Sequence, residues 1–188
     1  MKFLFLLLPT ILTAGCLTVK VSEVKQNSEI AVLTDKLTAL SPAVDRVEAL
    51  RAADVAVRYP LLLAQAWRAT PPATLNNALV NCGLHPRGLC YQWADELTVK
   101  LLTLRLRTLT IHRGVAKLGT RREHSCVVLT AVGQNFTNGI ALDAWRDSGK
   151  LNFSPVTTDK YAWKEVELPA DYANELQSAA EKMGKQNK

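Results

Sequence analysis

The chain changes character once, near residue 103, and that single change constrains its fold more than any other feature. Before it, apolar residues recur at helical spacing; after it, Thr108–Ala116, Ser125–Ala131 and Ile140–Trp145 are dense in Val, Ile, Leu and Thr, the composition of strands. Helices first and strands afterwards, without regular alternation, define an α+β domain rather than a βαβ array. The helical half is expected over 30–104, the sheet over 105–168 and a terminal helix over 170–183, with 184–188 frayed. Within the first half, Ser41-Pro42 reads as an N-cap followed by Pro at the first helical position, with Val44, Val47, Leu50 and Ala53 on one stripe. Pro60 is expected to interrupt that helix and Leu61–Trp67 to form another. Leu75–Val80 adds a turn or two, Lys160–Leu168 is a further strand candidate, and Trp67 and Trp93 are assigned to the core.

The first fifteen residues stand apart from this pattern. Met1–Gly15 carries one cation, Lys2, then an apolar run from Phe3 to Leu12, then small residues: the layout of a secretory signal peptide. Its apolar run falls short of the roughly 20 residues that cross a bilayer. Leu12-Thr13-Ala14-Gly15-Cys16 resembles a bacterial lipobox, which implies lipidation of Cys16 and a membrane partner reached through that lipid; ordinary secretory cleavage at the same bond is the alternative. Leu17 after the cysteine, by resemblance to lipoproteins generally, implies the periplasmic side of the outer membrane. Residues 16–29 then read as a polar tether and 30–183 as one domain. The net charge of +6 falls by one without the leader. Its loose basic stretch (Arg105, Arg107, Arg113, Lys117, Arg121, Arg122) reads as solvated surface or as attraction to anionic lipid or an acidic substrate. No aromatics interleave with it, so nucleic acid is not an expected partner.

With Cys16 assigned to the anchor, Cys82, Cys90 and Cys126 remain, an odd number that leaves at least one thiol unpaired in an exported protein. Cys90, Ala94, Leu97, Leu101 and Leu104 fall on one helical face, and Pro86-Arg87-Gly88 precedes them as a loop. Cys90 therefore occupies the first turn of an amphipathic helix, where free backbone N–H groups and the positive end of the dipole favour thiolate. Its own N–H is a candidate oxyanion donor. A thiolate hydrolase also needs a base, and His124 opens the strand Ser125–Ala131. A hairpin with its loop near 132–136 puts His124 opposite Asp143, Cys126 opposite Ala141 and Val128 opposite Gly139. The rival is a tight turn at Asn138-Gly139, which would set Asp143 against Gln134 and far from His124. Cys126 shares a strand face with His124 and is either cleft-lining, core, or bonded to Cys82; Trp145, two residues beyond Asp143, is either core or a cleft wall. A zinc site from Cys82, His85 and Cys90 lacks paired Cys-x-x-Cys spacing.

Cys90-Tyr91-Gln92-Trp93-Ala94, His124-Ser125-Cys126-Val127-Val128-Leu129 and Ile140-Ala141-Leu142-Asp143 occur in that order. The set resembles the bacterial transglutaminase-like cysteine proteinases, a branch of the papain-like folds, over residues 80–165. The resemblance implies a nucleophile helix packed on an antiparallel sheet. It assigns Cys90 as nucleophile, His124 as general base and acid, and Asp143 as the orienting carboxylate. The implied activity is peptidase, amidase or transamidase chemistry on a protein, peptide or peptidoglycan amide. This chain has Leu89 and Tyr91 where the family often has an acidic residue. No calcium-ligand cluster carries over, and no cofactor or metal is expected. The alternative function is a binding or assembly lipoprotein on the same fold with the three residues vestigial.

Overall fold

The computed structural model describes residues 20–186; the leader, Cys16 and the last two residues lie outside the described residues. The elements are α1 (Glu23–Thr38), α2 (Arg46–Trp67), α3 (Ala73–Asn81), α4 (Cys90–Leu102), β1 (Leu109–Ala116), β2 (His124–Ala131), β3 (Ile140–Asp147), β4 (Lys150–Pro155), β5 (Lys164–Glu165) and α5 (Ala170–Gln186). The five strands form one antiparallel sheet in the order β4-β3-β2-β1-β5, so the domain is α+β. Residues 23–29, expected as tether, are the first turns of α1, capped by Ser22 and packed through Ile30, Leu33 and Leu37. α5 likewise runs on to Gln186, past the expected end at 183.

The helical layer departs from the sequence reading in three places. Asp45, not Ser41, caps α2, accepting from the N–H groups of Val47 and Glu48 through one carboxylate oxygen. Pro60 does not break the helix, which continues through it to Trp67. Proline costs a helix one hydrogen bond, and burial of Pro60 with Val57, Leu61 and Ala64 offsets that loss. The buried face of α2 is Ala49, Ala52, Ala53 and Ala56, whereas Val47 and Leu50 face solvent. Small residues let α2 approach its neighbours closely, so methyl groups fill the seam that larger residues were expected to fill.

β2 lies at the centre of the sheet and is buried along its whole length on both faces. Val127, Leu129 and Ala131 join Leu97, Leu101 and Trp93 of α4 in the main core. Cys126 and Val128, on the opposite face, join a smaller cluster with Phe136, Val156 and Trp163. The β2–β3 register pairs Val127 with Leu142 and Val128 with Ala141. That is two residues from the expected hairpin register, and Asn138-Gly139 ends a 3-10 turn (Phe136–Asn138) instead of making a tight hairpin. Because side chains alternate with period two, a shift of two leaves every residue on its expected face. The strand β4 has no counterpart in the sequence reading.

α5 is clasped to α4 through Val99, Leu176 and Ala180. Beneath it, Arg113 of β1 donates to Asp95 of α4 at 2.5 Å, and the Tyr172 hydroxyl donates to the same carboxylate. Arg113, expected on a solvated basic surface, is therefore a buried ion-pair partner; its strand turns it under α5.

Candidate active site

The start of α4 is built to hold Cys90 in place. The Gln92 side chain reaches back to accept from the backbone N–H groups of Gly88 and Leu89, at 2.8 and 3.0 Å, the return half of a capping box. Gly88 O accepts from the Trp93 indole N–H at 2.9 Å and from the Asn76 side chain at 3.4 Å. At φ 132° and with Asn76 pressed against it, position 88 has no room for a Cβ. Trp93 N–H makes the first backward helical bond, to Leu89 O. The Cys90 N–H thus precedes the hydrogen-bonded part of the helix and remains an unspent donor of the first turn. Cys90 is half-buried, and its Sγ lies 3.7 Å from the carbonyl oxygen of Glu123, the residue before His124.

His124 is 3% exposed and Asp143 1%. His124 Nε2 donates to Asp143 Oδ2 at 2.7 Å. The pair is diagonal across β2 and β3 rather than directly opposite, as the two-residue register shift requires. An ionised carboxylate only accepts, so Nε2 carries the proton. Nδ1 is buried and has no hydrogen-bond partner among the described residues, while the Cys90 thiol donates to Glu123 O. Burial alone would lower the pKa of His124. The hydrogen bond to Asp143, its charge and the nearness of the Cys90 sulfur overcome it and raise the value to about 9. The pocket thus favours the imidazolium that forms when Nδ1 takes up a proton.

Aromatic rings enclose the imidazole. The centroids of Trp145, Tyr161 and Trp163 lie 4.5, 4.7 and 5.2 Å from the His124 ring. These tilted and edge contacts leave the ring little freedom to turn. Trp145 is held in turn by an indole N–H donated to Asn77 Oδ1 of α3 at 2.9 Å. Trp145 is thus a wall of the site. Cys126 is buried in the smaller cluster with Val128, Phe136 and Ala141, where burial pushes its thiol well above the ordinary range.

The sequence reading missed Arg146, Asp159, Tyr161 and Trp163. Asp143 Oδ1 accepts from the backbone N–H groups of Trp145 and Arg146, at 3.1 and 3.2 Å. Its Oδ2 accepts Arg146 Nε at 3.1 Å beside the histidine. Arg146 Nη2 donates to both oxygens of Asp159, at 3.0 and 3.2 Å, and Asp159 is fixed by the Ser154 hydroxyl and Tyr161 N–H. An irregularity in the β3–β4 ladder between Asp143 and Asp147 folds Arg146 back onto Asp143. Aromatics at 161 and 163 were visible in the sequence as a strand candidate only.

The remaining histidines are engaged elsewhere. Cys82 is exposed and free, and Cys126 is also free, so no bond joins them. His85 Nδ1 pairs with Asn76 Oδ1, and His112 lies between Glu165 and Thr130. Among the described residues no cluster of His, Cys, Asp or Glu is placed to hold a metal ion. No family model, curated protein or solved structure matches the chain.

Proposed function

We propose that this protein is a cysteine hydrolase of the transglutaminase-like type, acting on an amide bond through Cys90, His124 and Asp143. The observation that carries the reading is the convergence of a half-buried thiol at a helix start with an imidazole whose other nitrogen is committed to a buried carboxylate. The Cys90 proton passes to His124 Nδ1, and the sulfur attacks the substrate carbonyl carbon. The resulting oxyanion faces the Cys90 N–H, as helix-start donors allow. Collapse breaks the C–N bond; the amine leaves with the proton from His124, and a thioester remains on Cys90. His124 then takes a proton from water, hydroxide adds to the thioester carbon, and the acid departs as the thiol is restored. An amine in place of water gives transamidation with the same three residues. The leader and Leu12–Cys16 motif support a lipid-anchored position on the periplasmic side of the outer membrane, with a protein, peptide or peptidoglycan amide as substrate.

Native protein is treated with iodoacetamide at pH 6.5 and the modified cysteines are mapped by mass. Cys90 is expected to react faster than Cys82, although Cys82 is the more exposed. Equal rates, or a faster Cys82, would overturn the catalytic reading in favour of a binding lipoprotein on the same fold.

A further inference from the structure

Three cations surround one ring at the edge of the site. Arg146 Cζ lies 5.0 Å from the Tyr161 centroid, Lys160 Nζ 5.5 Å and Lys117 Nζ 6.0 Å. Tyr161 itself stands 4.7 Å from His124. Arg146 is spent on Asp143 and Asp159, but Lys117 and Lys160 are exposed and form no ion pair among the described residues. Arg121 and Arg122, also exposed and without an ion pair, lie in the 117–123 loop that delivers Glu123 O to the Cys90 sulfur. The one acid of that loop, Glu123, is exposed and its carboxylate accepts Gly119 N–H at 2.7 Å, so Lys117, Lys160, Arg121 and Arg122 stand against a single opposing charge. Asp143 and Asp159, the other nearby acids, are offset by His124 and Arg146. The approach to Cys90 is thus edged by uncompensated positive charge.

We infer that the substrate is an acidic peptide segment, with carboxylates close to the scissile amide that Lys117, Lys160, Arg121 and Arg122 receive. The inference rests on the catalytic reading above and adds the substrate class. A rim of one sign beside a recessed site raises the local concentration of the opposite charge and steers its approach. Surface lysines contribute little to the stability of the fold, so uncompensated ones at this position act on what comes to it.

Alkylation of Cys90 tests this without a known substrate. In both reagents the sulfur attacks the methylene carbon, iodide leaves and a thioether forms; iodoacetate carries a negative charge and iodoacetamide none. The quantity read is the ratio of their Cys90 rate constants, in the native protein and in Lys117→Gln/Lys160→Gln. Loss of two charges from the rim is expected to lower the ratio about threefold at low salt, and 1 M salt to remove the difference. The iodoacetamide rate is the internal control for folding and for Cys90 reactivity. A ratio unchanged by the double substitution overturns the inference, while the catalytic reading stands. Slow iodoacetamide labelling of Cys90 relative to Cys82 overturns both.

Discussion

Replacing Asp143 by Asn changes one oxygen for one NH2 group and nothing in shape, yet the carboxylate's surroundings leave no neutral way to accept it. Oδ1 accepts two backbone N–H groups, a role an amide oxygen can keep. Oδ2 accepts His124 Nε2 and Arg146 Nε, and the amide nitrogen of Asn would meet both as a third donor. Hydrogen bonds to charged groups contribute about 1.5–3 kcal/mol each, and breaking a buried ion pair costs about 3–5 kcal/mol. Arg146 keeps Asp159, so the expected loss is near the lower end, about 3 kcal/mol. The imidazole responds as well. With the carboxylate gone, burial becomes the dominant influence and the His124 pKa falls from about 9 to below its ordinary value. The ring is then neutral at pH 7, and its proton moves to Nδ1, where it can no longer accept from Cys90. Urea unfolding followed by tryptophan fluorescence, which the Trp145 and Trp163 rings beside His124 make sensitive to the site, reads the first quantity. Proton NMR of the imidazole reads the second. A stability loss under about 1 kcal/mol with His124 still titrating near 9 would refute the assignment of Asp143 as its anchor.

The raised His124 pKa also makes stability depend on pH. Its stabilisation is complete below about 6.5, the ordinary value, and is lost as pH rises through about 9. The unfolding free energy is expected to fall by about 3 kcal/mol across that window, and His124→Gln to remove the slope. Gly149, at φ 107°, would place a Cβ 2.5 Å from Ala64 Cβ and 2.9 Å from Pro60 O. Gly149→Ala is expected to cost about 3 kcal/mol by chemical denaturation, whereas Gly133→Ala, strained at φ 79° but facing open space, costs about 1 kcal/mol. Arg113→Leu strands the buried Asp95 and is expected to cost about 3–5 kcal/mol. Adding Asp95→Leu is expected to recover most of that loss, and a double-mutant cycle showing plain additivity would contradict the pairing.

The order of helices and strands and the place of Cys90 were legible because they rest on local rules. The stripe Ala94, Leu97, Leu101 is buried as helical periodicity demands, and the loop before Cys90 ends where Gly88 must be glycine. His124 and Asp143 were legible as a pair because strand parity survives an error of two in register. What escaped depends on tertiary packing. The alanine face of α2 is silent in a hydrophobicity pattern, and Pro60 is tolerated only because its surroundings bury it. Arg113 resembles any surface arginine until α5 covers it. Arg146 reaches Asp143 only through a strand irregularity that carries no sequence signal.

The division of β2 between two cores has a consequence for how the protein would fail. Its inner face is anchored in the large helical core, but the rings around His124 belong largely to the small cluster on the other face. Tyr161 and Trp163 there ride on the irregular segment between β4 and β5. Regions with few buried contacts open at lower free energy than the domain as a whole. Opening of that segment would free the imidazole and admit water to the Asp143 pair while every helix remained folded. Two stabilities are therefore expected, one for the fold and a lower one for the poised imidazole, so that mild stress silences the second before it reaches the first.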